Sequence, residues 1–154
     1  MKKLVQKQYQ QQVSATASLR TLAQPAEGWV RTVRKSLGMS LRQLAGRMGV
    51  STSAVARMER QEPEGRITLA QLEKAASALN CRVVYALVPE QPVEEMLAEQ
   101  ARRKARMRVE KVNDSMALER QQLTDQQLAD QIAERTRRYL DKPPKDLWDE
   151  EPGR

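Results

Sequence analysis

Ser40-Leu-Arg-Gln-Leu-Ala-Gly-Arg-Met-Gly-Val-Ser-Thr-Ser-Ala-Val-Ala-Arg-Met-Glu-Arg60 decides how the chain is read. Leu41, Leu44, Ala45 and Met48 recur at i, i+3, i+4 and i+7, one apolar face of a short helix. Ser40 stands just ahead of it, where a hydroxyl accepts a backbone N–H of the first turn. Gly49 follows, a residue that ends a helix in the left-handed conformation without steric penalty. Val50 is expected to tuck inward, and Ser51 offers a second cap. In the next helix Val55 and Met58 face the core, which leaves Thr52, Ser53, Ala56, Arg57 and Arg60 outside. Ala45 is small enough to let the two helices cross closely. What faces out is short, polar and basic, the kind of helix that a DNA major groove admits. The competing reading of the same spacing is an ordinary helical hairpin in a bundle.

The flanks extend the pattern. Pro25 and Glu27-Gly28 break the chain before Trp29, Val30, Val33 and Leu37, a helical apolar face that Gly38 ends. Trp29 is expected to anchor the core. On the other side, 61–66 is a polar loop with a Pro and a Gly. Its acids Glu62 and Glu64 are expected to point part of it away from a polyanion. Thr68 then caps a helix carrying Leu69, Leu72, Ala75, Ala76 and Leu79, ending near Asn80. A small domain over 27–80 results. Within it Arg57 is the candidate for a bidentate contact to guanine, with Thr52, Ser53 and Ala56 beside it at base edges. Ser40, Arg42, Gln43, Ser51, Arg60 and Arg66 are the candidates for phosphate.

Residues 1–26 are rich in Gln, Ala and Leu and read as a helical arm, with a frayed basic tail as the alternative. Residues 81–89 differ from everything else in the chain. Val83, Val84, Tyr85, Ala86 and Leu87 combine β-branched and aromatic types before Pro89, which predicts a short β-strand. A single strand is not stable alone. It is therefore expected to pair with its copy in a homodimer; the alternatives are a partner's strand or an extended tail buried on the helices. Cys81, beside Val83 and Val84, reads as a small buried hydrophobe. From 90 to 142 the chain reads as a helical hairpin. Val93, Leu97, Ala101, Ala105, Val109, Val112 and Met116 form one long stripe, with Arg102, Arg103, Lys104, Arg106 and Arg108 crowding the other faces. Thr124 caps a returning helix with Leu128, Ile132 and Tyr139 inward. Pro143-Pro144 stops it, and 143–154 is an acidic tail carrying Leu147 and Trp148. The expected fold class is thus mainly α: a five-helix DNA-binding domain, an N-terminal helical arm, one short dimerising strand and a C-terminal helical hairpin.

Composition narrows the function. There is no His and no Phe, and Cys81 is the single cysteine. No Ser-His or Cys-His nucleophile pair can form and no His-based metal site exists, so neither catalysis nor a cofactor is expected. A lone cysteine fits a reducing compartment. No apolar run approaches the roughly 18 residues of a membrane span, and the N-terminus lacks the apolar core of a signal peptide, so a cytoplasmic location and no membrane are expected. The net charge is +7. It is concentrated in the front half, with the helix pair, while the rear is neutral to acidic, as in a binder of double-stranded DNA.

The 40–60 stretch resembles the XRE (lambda-repressor-like) helix-turn-helix family in its hydroxyl cap, its Leu44-Ala45 pair, its Gly49 turn and its Ser-rich second helix ending near Glu59. That resemblance implies a lambda-repressor-like domain reading an inverted-repeat operator. It departs at Leu41, where the family often has a Gln that touches phosphate; Arg42 or Gln43 is then the substitute. Over nearly its whole length the chain is similar to the family called mobile mystery protein A. The shared pieces are Pro25 with Gly28-Trp29, Gly38-Met39-Ser40, Tyr85-Ala-Leu-Val-Pro89, Met116-Ala-Leu-Glu119 and a terminal Leu147-Trp-Asp-Glu150. The resemblance implies a Fic-domain protein as neighbour and partner, and with it an antitoxin-like, autoregulatory role. A variant of that role is direct neutralisation of a toxin by the C-terminal half. The inhibitory Ser/Thr-x-x-x-Glu-Gly/Asn helix of Fic antitoxins is not matched, because Ala23 and Arg60 stand four residues ahead of Glu27-Gly28 and Glu64-Gly65.

Overall fold

The computed structural model describes residues 2–118 and 123–150, and their regular structure is entirely helical. In chain order these are α1 (Lys2–Ser14), a 3-10 segment (Ala15–Thr21), α2 (Trp29–Ser36), α3 (Leu41–Met48), α4 (Thr52–Gln61), α5 (Leu69–Ala78), α6 (Val93–Leu118) and α7 (Asp125–Asp141). They form two compact units: residues 18–88, and residues 1–17 together with 89–154. Glu119 of the Met-Ala-Leu-Glu piece and residues 151–154 of the tail lie outside the described residues.

The 18–88 unit is built on a small aliphatic core of Val30, Leu44, Ala45, Val55, Ala75 and Leu79. α3 packs on both α4 and α5, and α2 packs on α5. Several helix ends coincide with local signals in the sequence. Ser40 and Gln43 make a reciprocal capping box at the start of α3, and Thr68 and Gln71 repeat it at α5. Gly49 ends α3 at φ +67, and Asn80 takes φ +56 after α5.

Two buried carboxylates add what a core without Phe cannot supply. Glu62, at the end of α4, is buried and its oxygens accept from Trp29 N at 2.6 Å and Val30 N at 2.9 Å. It thereby caps α2, whose own N-cap residue is Gly28 and offers no side chain. Gly28 is required there twice over: its φ is +81, and a Cβ would stand 2.8 Å from Glu62 Oε2. Glu59 is buried with Arg34 in a two-pronged pair, Nε to Oε1 at 2.5 Å and Nη2 to Oε2 at 3.0 Å. Arg34 also donates to the Met39 carbonyl at 2.8 Å.

Several expectations are corrected here. Glu62 does not point away from the domain; it is pulled inward by the unpaired N–H groups of α2. Trp29 does not anchor the core but stays 43% exposed, lining a shallow apolar cavity of about 450 Å³ with Leu22, Val33, Leu69 and Leu72. Val50 is 43% exposed, because the Gly49 turn carries it past the core. Cys81 is exposed. The segment 27–80 contains four α-helices among the described residues, not five. The expected strand at Val83, Val84, Tyr85, Ala86 and Leu87 is absent too: residues 81–89 are irregular. A strand exists only as part of a ladder with a second strand, and no strand is present among the described residues to form one with it. Val84, Tyr85 and Leu87 are left 71%, 76% and 91% exposed.

The second unit contains the α6–α7 hairpin, with α1 lying against α6. Thr124 and Gln127 form the capping box that starts α7. Ala101, Ala105, Tyr139 and Leu147 make the core, with Ile132 packed on it. Of the long stripe, Ala101, Ala105 and Val109 are buried, whereas Val112 is half exposed. Lys104 does not lie on an outer face; it is 2% exposed, with its ammonium 3.3 Å from Asp146. The tail is held down as well. Leu147 is buried, and its carbonyl accepts from Gln100 Nε2 at 2.7 Å. Trp148 beside it remains mostly exposed.

Candidate nucleic-acid interface

The candidate surface is the outer side of α4 with the N-terminal ends of α3 and α4. Its orientation is set from inside. Val55, Glu59 and Glu62 are all buried, at i, i+4 and i+7. A helix with that inner face has 52, 53, 56, 57 and 60 on the other side. Accordingly Thr52, Ser53, Arg57 and Arg60 are exposed and Ala56 is partly so. The Arg34–Glu59 pair ties α4 to α2, so the exposed face is held by two carboxylates that the helix-turn-helix spacing does not reveal. Their only sequence signal is acids at the core positions of α4 itself. The Glu59 carboxylate, through its hydrogen bond, raises the Arg34 guanidinium above its ordinary value against the opposing effect of burial.

The turn between the helices is tight. Val50 N donates to the Ala45 carbonyl at 3.1 Å across the left-handed Gly49. Ser51 then caps α4 by accepting from Ala54 N at 3.2 Å, and its hydroxyl lies 3.1 Å from that of Ser53. At α3, Ser40 Oγ accepts from Gln43 N at 3.2 Å, while Gln43 Oε1 accepts from Ser40 N at 2.7 Å. The Gln43 amide nitrogen is left to donate outward.

The basic residues divide into two groups. Arg42, Arg57 and Arg60 are exposed and make no ion pair among the described residues. Arg66 is already paired with Glu64, Nε to Oε2 at 2.8 Å, so it reaches a phosphate only by exchanging that partner. Arg47, which the sequence does not single out, is exposed but tethered: it donates to the Ala78 carbonyl at 2.5 Å and to Asn80 Oδ1 at 3.2 Å. It braces α3 against the end of α5. Glu27, ahead of α2, is hydrogen-bonded by Lys35, which lowers its carboxyl pKa, so these two charges are spent on each other. Among the described residues no His, Cys, Asp and Glu group could hold a metal ion.

Residues 30–85 match the family model described as helix-turn-helix. The match runs from the second residue of α2 through α5 and into the irregular segment after them. This part of the chain is therefore a DNA-binding helix-turn-helix domain within a mainly helical protein. No curated protein and no solved structure matches the chain. No helix among the described residues is long and apolar enough to cross a membrane.

Proposed function

We propose that the protein is a sequence-specific transcriptional repressor that binds an inverted-repeat operator as a homodimer. The observation that carries this reading is the division of α4: Val55 and Glu59 and the C-cap Glu62 are turned inward and buried, and the outer face presents Arg57 between short side chains with no ion pair among the described residues. Arg57 reads guanine, with Thr52, Ser53 and Ala56 against neighbouring base edges. Arg42, Arg60 and Arg66 hold phosphates, with Ser40, Gln43 and Ser51 donating at the helix starts. The exposed segment Val83–Leu87 joins two copies. A two-fold pair spaces its recognition helices by about 34 Å or a multiple of it, one helical turn of DNA. The operator belongs to the protein's own operon; the resemblance of Tyr85–Pro89 and Leu147–Glu150 to the Fic-associated family makes the co-regulated gene a Fic-type toxin and this chain its antitoxin-like regulator.

Arg57→Ala tests the reading. A good bidentate arginine contributes roughly 1–3 kcal/mol of discrimination and the dimer loses one from each copy, so operator preference falls by about 30-fold or more while binding to random duplex is retained. Competition binding with the upstream inverted repeat and a scrambled duplex measures both. Equal affinity of the unaltered protein for the two duplexes refutes sequence-specific recognition.

A further inference from the structure

The outer side of the α6–α7 hairpin carries a groove of about 680 Å³ that the DNA-binding reading does not use. Its floor on α7 is Leu128, Ala129, Ile132 and Ala133, with both alanines exposed. Its charges are sorted by end. Asp125 opens the α7 wall and Arg137 closes it. On the α6 wall Glu110 stands toward the hairpin turn, and Arg102 and Arg106 stand toward the other end. The turn end is located by Leu123 N, which donates to Asn113 Oδ1 at 3.0 Å. One end of the groove therefore holds two acids and the other three arginines.

This pattern is complementary to itself when reversed. Asp125, Ala129, Ala133 and Arg137 fall at four-residue intervals, so they form one row along α7. A second α7 laid antiparallel about a two-fold axis midway along that row sets Asp125 against Arg137 of the other copy, twice. It sets each Ala129 against the other copy's Ala133, where small side chains let the backbones approach. It also brings Glu110 toward the arginine end of the facing groove. An isologous interface requires one patch to serve as both halves, and this row meets that requirement in charge and in side-chain size. We propose that this groove is a self-association face, occupied by α7 of a second copy of this chain in antiparallel orientation. It is independent of the contact at Val83–Leu87 and of DNA binding.

The test uses the full chain carrying Tyr85→Asp and Leu87→Asp, so that association through the 83–87 segment is removed and this face alone is read. Sedimentation equilibrium is expected to show a dimer of the 17.6 kDa chain at high protein concentration. Asp125→Arg or Arg137→Asp, added singly, turns two attractions into two repulsions and weakens the dimer about tenfold or more. The double exchange, Asp125→Arg with Arg137→Asp, restores it. A purely structural role for either residue predicts no rescue, since the exchange leaves both charges opposed to the α7 helix dipole. A monomer in the Tyr85→Asp, Leu87→Asp background, or a dimer indifferent to the single changes, overturns the proposal. Comparison of that background with the unaltered chain separately reports whether Val83–Leu87 associates.

Discussion

At the scale of single residues, the decisive groups are buried charges whose partners lie far away in the sequence. Arg34 and Glu59 are separated by 25 positions and share two hydrogen bonds in a buried setting. Removing one partner of such a pair strands the other without water, which typically costs about 3–5 kcal/mol. Glu59→Ala is therefore expected to lower stability by roughly that amount in denaturant unfolding. The double change Arg34→Met with Glu59→Leu removes both charges and replaces them with apolar volume, and is expected to recover most of the loss. If Glu59→Ala were neutral, the pair would not be what holds α4 in place. Gly28 belongs to the same scale: its φ of +81 strains any other residue, and a Cβ would also displace the Glu62 carboxylate that caps α2.

At the scale of elements, the segment after α7 acts as a clasp on α6. Asp146 receives Arg108 Nη2 at 2.5 Å and lies 3.3 Å from Lys104 Nζ. Arg108 also donates to the Tyr139 hydroxyl at 3.0 Å. Burial by itself pushes the Asp146 carboxyl up, but the hydrogen bonds from Arg108 and Lys104 outweigh it and hold the pKa below the ordinary 3.8. A carboxylate whose folded pKa is depressed adds stability that is complete above its unfolded value and is lost as pH falls through the folded one. The melting temperature of the unaltered protein is expected to exceed that of Asp146→Asn by a constant margin above about pH 4. The margin should close below that, as both forms become neutral at 146. Thermal melts followed by circular dichroism across pH 2–7 check this; a margin independent of pH removes the charge from the account.

At the scale of the whole molecule, charge and core size act together. The chain has a net charge of +7 and no Phe. Its buried apolar residues are largely small or aliphatic, with Ala45, Ala75, Ala101 and Ala105 among them. Close helix packing around alanines, stitched by buried ion pairs and caps, takes the place of a large aromatic core. The excess positive charge remains available to a polyanion. A proposed dimer using Arg42, Arg60 and Arg66 from each copy neutralises about six phosphates, so log K against log salt is expected to slope near −5. Arg42→Ala removes one contact per copy and should reduce the slope by about 2. Filter binding of operator DNA between 50 and 300 mM salt measures it, and an unchanged slope would exclude Arg42 from the phosphate set.

The amino-acid sequence alone determined the local structure of the DNA-binding unit. Ser40, Ser51 and Thr68 mark helix starts, Gly49 marks a left-handed end, and the spacing of Leu41, Leu44, Ala45 and Met48 marks an inner face. Capping and periodicity act within a turn or two of helix, so they are legible without a fold. The outward side of α4 was legible for the same reason. Only the tertiary structure decided which charges are buried. Glu62 caps a helix 32 positions away, Glu59 meets Arg34, and Lys104 turns inward to Asp146, because each compensates a group that chain folding alone brings near. It also decided against a strand at 81–89 within one chain: β-propensity describes a side chain's fitness for a sheet, but a ladder needs a second backbone to bond to.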